Sequence, residues 1–239
     1  LSFGLLATTT WAAATTQSTP QAVAFHYGDA PPWDELQAFD LVVVDPDHVK
    51  HPVAVNLPHT QLAAYVSVGE VHPDRAYVAQ IPKTWIKGKN KDWGSLLIDQ
   101  ASPAWPQFFT DRVIAPLWDA GYRAFFFDTL DSYQQFAKTP EARAQQEAGL
   151  VALGNRVKQR YPQAQLLFNR GFEILPSIHQ HVAWVAAESL LQGYSAGKNQ
   201  YAPVPPADRD WLLGQLKRVR DAYHLPVIVI DYAPVGDRA

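Results

Sequence analysis

Short apolar runs that stop abruptly on polar, mostly acidic residues recur along the chain, with helical patterns between them. The run 124–127, Ala-Phe-Phe-Phe, has no polar alternation, which is the pattern of a strand buried on both faces. It ends at Asp128, before a polar and aromatic turn carrying Thr129, Asp131, Ser132 and Tyr133. Six other runs share that form. Residues 23–28 close on Gly28 and Asp29, 41–44 on Asp45-Pro46-Asp47, and 62–68 on Gly69 and Glu70. In the second half, 165–168 leads to Asn169-Arg170-Gly171, 181–187 to Glu188 and Ser189, and 226–230 to Asp231 and Tyr232.

Helical signals fill the intervals. Pro32 opens a short helix over 32–39, where its missing N–H costs nothing. Ser102 is placed to cap a helix over 103–119, with Gly121 as its stop signal. Thr139-Pro140-Glu141 opens a helix reaching 161, and Pro162 ends it. A short helix is expected over 172–179. Trp211, Leu212, Leu216, Val219 and Tyr223 share one side of an amphipathic helix over 208–224. The segment 71–98 is irregular, with Trp85, Trp93 and the basic run 87–91, and reads as a lid or a disordered loop closed by a strand at 96–98. Seven strand–helix repeats predict a (β/α)8 TIM-type barrel that is C-terminally truncated, its last strand absent. A doubly wound open sheet is the alternative, but no glycine-rich phosphate loop follows any strand, which argues against nucleotide binding.

Composition narrows the function. A chain of 239 residues with 47% apolar and 18% charged residues is a folded globule with a sizeable core. The net charge of −3 offers no basic footprint, so nucleic acid is not an expected partner. Absence of cysteine removes disulfides, thiolate metal sites and cysteine nucleophiles together. Residues 1–14 are apolar and end in Trp11-Ala12-Ala13-Ala14, which reads as the tail of a secretory signal. The expected organisation is a signal remnant and flexible terminus over 1–21, then one barrel domain over 22–239, in the periplasm or outside the cell. No run is long enough to span a bilayer.

A barrel gathers its strand tips into one mouth, where Tyr27, Asp45, Asp47, Glu70, Asp128, Asp131, Asn169, Arg170, Glu188, Asp231 and Tyr232 would meet. The histidines do not fall at strand tips with ligand spacing; His179 and His181, two apart, are a weak metal signal, and neither metal nor cofactor is expected. Two carboxylates across a sugar are the better use of such a mouth, one protonating the leaving oxygen while the other attacks or activates water. Tyr27, Tyr65, Tyr133, Tyr194 and Trp93 are candidate platforms for sugar rings. Asp29 and Asp45-Pro46 also have strong turn chemistry.

The stretches 65–70 (Tyr-Val-Ser-Val-Gly-Glu), 126–133 (Phe-Phe-Asp-Thr-Leu-Asp-Ser-Tyr) and 169–173 (Asn-Arg-Gly-Phe-Glu), with Glu188-Ser189, resemble the endo-α-1,4-polygalactosaminidase-like glycoside hydrolases. The resemblance runs from about Val23 to the end. It implies a secreted (β/α)8 enzyme cutting within α-1,4-linked galactosamine and N-acetylgalactosamine polymers of the Pel exopolysaccharide type, found in bacterial biofilms. It carries the catalytic pair onto Asp128 and Glu188. By analogy with retaining α-galactosidases, Asp128 would be the nucleophile and Glu188 the acid/base. Asp45, Asp47, Glu70, Asp131 and Asp231 would meet the ammonium groups of a partly deacetylated chain. The partners implied are the polysaccharide and, with it, an export machinery. A barrel that tethers polymer without cutting it is the alternative.

Overall fold

A computed structural model describes residues 20–195 and 199–234. Apart from its last two residues, the expected leader segment 1–21 lies outside the described residues. Seven parallel strands form one sheet: β1 (Val23–His26), β2 (Leu41–Val44), β3 (Gln61–Ser67), β4 (Ala124–Asp128), β5 (Gln165–Asn169), β6 (Val182–Glu188) and β7 (Val227–Ile230). Their order in the sheet is their order in the chain. A doubly wound sheet reverses its strand order partway; this one never does, and it curls as an incomplete (β/α)8 barrel. Strands β1 and β7 are its two edges.

The apolar runs lack alternation because both faces of the sheet are covered. Leu41, Val43, Ala63, Ala124, Phe126, Leu167, Trp184 and Ala186 form one buried cluster, the barrel interior. Their neighbours Val42, Val44, Ala64, Val66, Phe125, Phe127, Leu166, Phe168 and Val185 pack the other face against the helices. Successive residues of a strand point to opposite faces, so parity along each run decides which core a residue joins. The β5–β6 register shifts between Leu166 and Leu167, which pair with Val182 and Trp184.

Helices fall where expected, with instructive differences. Thr139 caps Pro140–Arg160 by accepting the Ala142 N–H at 3.2 Å. Ser102 caps nothing: the next helix begins at Trp105, its N-cap is Ala104, and no side chain caps it. That helix runs Trp105–Phe109, passes through a π-helical turn at Thr110–Ile114 and resumes as Ala115–Ala120. Pro116 explains the turn, since it has no N–H to give the carbonyl four residues back and its ring crowds that carbonyl. Gly121 ends the helix at φ 115°, a left-handed position suited to glycine. Helix Pro206–Tyr223 buries Leu212, Leu216 and Val219, while Trp211 stays exposed against Phe172.

The segment 71–98 is not a lid. Glu70–Val71, Leu96–Ile98 and Ile86–Lys89 form a three-stranded antiparallel sheet. Val71, Ile81, Leu97 and Ile98 are buried, and Trp85 packs edge-on to Trp105 at 6.0 Å. Part of the basic run is strand, with Lys87 paired to Asp99 at 2.8 Å. A hairpin of Gln192–Ser195 and Gln200–Pro203, absent from the sequence expectations, rises after β6. No helix among the described residues is long and apolar enough to cross a membrane.

Candidate active site

The interior parity of each strand continues past its last apolar residue. Ala124 and Phe126 lead to Asp128, Leu167 to Asn169, Trp184 and Ala186 to Glu188, and Ile228 and Ile230 to Tyr232. Ala63 leads likewise to Tyr65, and Val23 and Phe25 to Tyr27. Adjacent strands therefore present these side chains side by side at the carboxyl end of the sheet, where barrel enzymes build their sites.

One amide joins the two carboxyl groups. Asn169 Nδ2 donates to Asp128 Oδ1 at 2.8 Å and to Glu188 Oε1 at 2.9 Å. Tyr65 donates its hydroxyl to the other oxygen of Asp128, Oδ2, at 2.7 Å. Tyr232 donates to Glu188 Oε2 at 2.5 Å. Arg170, at φ 58°, turns its guanidinium back onto the Glu188 carbonyl, with Nε at 2.9 Å and Nη2 also bonded, so it braces the strand tip. The ring of Tyr27 meets Tyr65 edge-on at 5.1 Å.

The electrostatics follow from crowding acids in a half-buried place. Burial pushes the Glu188 carboxyl above the usual carboxylate range. The Asp128 charge adds to that, and the bonds from Tyr232 and Asn169 oppose it. Tyr27, Tyr65 and Tyr232 have their phenols pushed up, first by burial and then by neighbouring carboxylates. They stay protonated, and Tyr65 and Tyr232 act as donors. Asp131, in the turn after β4, is raised by burial, with Arg170 Nη1 at 3.9 Å working against it.

Several residues expected at the mouth have other work. Glu70 is only 4% exposed and takes bonds from Asn90, Ser95, Ser132 and Gln135, so it fastens the small sheet to the turn carrying Asp131. Asp45 and Asp47 are held by Arg75, which binds Asp45 through both terminal nitrogens at 2.9 and 3.0 Å and Asp47 at 2.7 Å. Asp231 Oδ1 accepts the N–H groups of Leu190, Leu191 and Gln192, at 2.7, 2.8 and 3.1 Å, and so fixes the base of the hairpin. Its parity is opposite to that of Tyr232. Tyr133 is buried and donates to Glu147 at 2.8 Å, which leaves no face for a sugar. Tyr194 is exposed on the hairpin, and Trp93 on the turn between Ile86–Lys89 and Leu96–Ile98.

The sequence did not mark what two further participants do. Arg75 lies in the irregular segment with no periodicity to point to it; the demand of Asp45 and Asp47 for a cation was the only clue. Thr129, at φ 63°, receives the Gly69 N–H on Oγ1 at 2.8 Å and bonds Ser67 Oγ at 2.9 Å, tying β3 to the tip of β4. A Cβ on Gly69 would lie 2.2 Å from the Thr129 carbonyl oxygen, so only glycine fits there.

Three known proteins are similar to this chain. The glycoside hydrolase domain of PelA from Pseudomonas aeruginosa is 37% identical, with a TM-score of 0.80 over 91% of this chain and 86% of that one. Ega3 of Aspergillus fumigatus, in a complex with galactosamine, shares the fold at a TM-score of 0.63 and 15% identity, covering 91% of this chain and 78% of that one. An uncharacterized protein of Deinococcus radiodurans is 28% identical over 209 residues, 82% of this chain, and this chain spans 65% of that protein's length. The sequence model of glycoside-hydrolase family GH114 matches residues 6–239, and the chain belongs to that family.

Proposed function

We propose that this glycoside hydrolase cuts within polymers of α-1,4-linked galactosamine and N-acetylgalactosamine, with Asp128 as nucleophile and Glu188 as acid/base. The observation that carries this reading is the Asn169 amide nitrogen bonded to both carboxyl groups. One nitrogen spanning both oxygens keeps them closer than the ~6.5–9.5 Å that an inverting pair leaves for water, and near the ~5–5.5 Å of a retaining pair. Burial raises the Glu188 carboxyl, which is the direction a general acid needs. Asp128 accepts from Tyr65 and Asn169 and has no donor role to play, which suits an attacking carboxylate.

In the first step Asp128 bonds to the anomeric carbon, the glycosidic C–O bond breaks, and the Glu188 proton passes to the departing oxygen. In the second, Glu188 takes a proton from water, the hydroxide displaces Asp128, and both carboxyl groups return to their starting states. The galactosamine assignment draws on the likeness to the PelA domain, on galactosamine bound to Ega3, and on the carboxyl groups of Asp128, Asp131 and Glu188. The apolar leader pattern over 1–14 supports export, with 22–239 as the catalytic domain.

Proton NMR of the first products from a partly de-N-acetylated α-1,4-galactosamine polymer tests the reading. New α-anomeric reducing ends are expected before mutarotation. First-formed β-anomers would overturn the retaining assignment, and polymer bound without any oligosaccharide released would replace the enzyme by a tether.

A further inference from the structure

The hairpin after β6 is a βα loop of the barrel, the class of loop from which the catalytic mouth is built. It begins four residues beyond Glu188. Its base is tied to the tip of β7: Asp231 accepts three backbone N–H groups from it, and Tyr232 N donates to Gln192 O at 3.1 Å. Tyr232 in turn bonds Glu188. The hairpin is thus joined to the catalytic acid through two adjacent residues.

Tyr194 and Tyr201 are direct cross-strand partners in this hairpin and therefore share one face. Their ring centroids are 5.0 Å apart with an interplanar angle of 48°. Gly193, on the opposite face, approaches Ser189 at 3.6 Å from where its Cβ would be. One side of the hairpin thus leans on the residue after Glu188, and the tyrosine side looks outward, with Tyr194 39% and Tyr201 40% exposed.

We propose that Tyr194 and Tyr201 form a distal sugar platform, which stacks a residue of the polymer several units away from the bond being cut. It rests on the galactosaminidase reading above and extends it from a cleavage site to a chain-holding track. Continuity selects the occupant: a polymer lying between Asp128 and Glu188 passes the wall from which this hairpin rises. Pyranose rings offer apolar C–H faces to such rings, and Tyr adds a hydroxyl at the edge. Tyr194 already gives its hydroxyl to Asn199 at 2.6 Å, which fixes the ring orientation.

The test compares kcat/KM on long polymer with kcat/KM on oligosaccharides too short to reach the hairpin, for wild type, the Tyr194→Ala/Tyr201→Ala double variant and the Tyr194→Phe/Tyr201→Phe double variant. The alanine pair should lower the long-to-short ratio about tenfold, and the phenylalanine pair should restore it, because stacking needs the ring. An unchanged ratio in the alanine pair overturns the platform while leaving the enzyme reading intact. Polymer affinity of the same variants, measured by affinity electrophoresis, decides the matter independently of turnover. Retention of the alanine pair equal to wild type would overturn the platform even if no variant cleaved anything.

Discussion

Asn169 stands between the tips of β4 and β6 with its amide nitrogen 2.8 Å from Asp128 and 2.9 Å from Glu188. Two acids that repel one another are thereby held at a fixed separation by a single neutral donor. Both N–H bonds of that amide are used, so the side chain has no freedom to flip without placing its oxygen against a carboxylate. Replacing Asn169 with Ala removes a donor from each acid at once. We expect kcat to fall about 10²-fold or more, on the scale of losing one preorganised donor in other active sites. Thermal unfolding of the variant should stay close to wild type. A fall in kcat no larger than the change in folded fraction would reduce Asn169 to a structural residue.

Tyr232→Phe probes the acid directly. The hydroxyl bond favours the charged form of Glu188, so its loss raises a carboxyl group already pushed up by burial. A general acid must be protonated, hence the alkaline limb of the kcat/KM profile should move to higher pH in the variant. A residue that merely packs would lower activity with the limb unmoved.

The raised Glu188 carboxyl carries a stability signature. Glu188 has a folded pKa above its unfolded value, so the folded protein binds more protons than the unfolded chain through that window. Stability contributed at low pH is therefore lost as pH rises through the usual carboxylate range and on to the raised value. Glu188→Gln should melt higher than wild type at neutral pH, by about 2–4 °C for each kcal/mol relieved in a chain of this size. The gain should vanish below the usual carboxylate range, where the wild-type acid is neutral in both states. Differential scanning calorimetry across pH reads this; equal melting temperatures at neutral pH would contradict a burial cost at Glu188.

The strands were legible because a parallel sheet buried on both sides leaves an unmistakable mark, an apolar run such as 124–127 with nothing polar in it. The residues ending each run were legible too, and Asp128 and Glu188 stand where those runs stop. Sorting the tips was harder. Asp231 and Tyr232 are neighbours, yet one fixes a loop and the other bonds the acid, and only the period-two phase carried from Ile228 and Ile230 separates them. Glu70 looked like one more tip acid, but the turn at Gly69 directs it into the bonds of Asn90, Ser95 and Ser132. The small sheet over 70–98 showed in the sequence only as its strand at 96–98, because its pairing of Glu70 with Leu97 joins residues far apart in sequence, and its strands are too short to show alternation. The tandem of Tyr194 and Tyr201 was half visible, since nothing local shows that a hairpin sets them side by side.

Product release by single variants asks whether Asp128 and Glu188 together break the glycosidic bond. Partly de-N-acetylated α-1,4-galactosamine polymer would be incubated with wild type, Asp128→Asn and Glu188→Gln, and the soluble oligosaccharides counted by mass spectrometry. The account predicts oligosaccharides from wild type and a loss of about 10²–10⁴-fold in the Glu188 variant, the usual worth of a general acid, with at least as great a loss in the Asp128 variant. Release at near wild-type rate by either folded variant would contradict the assignment of the pair.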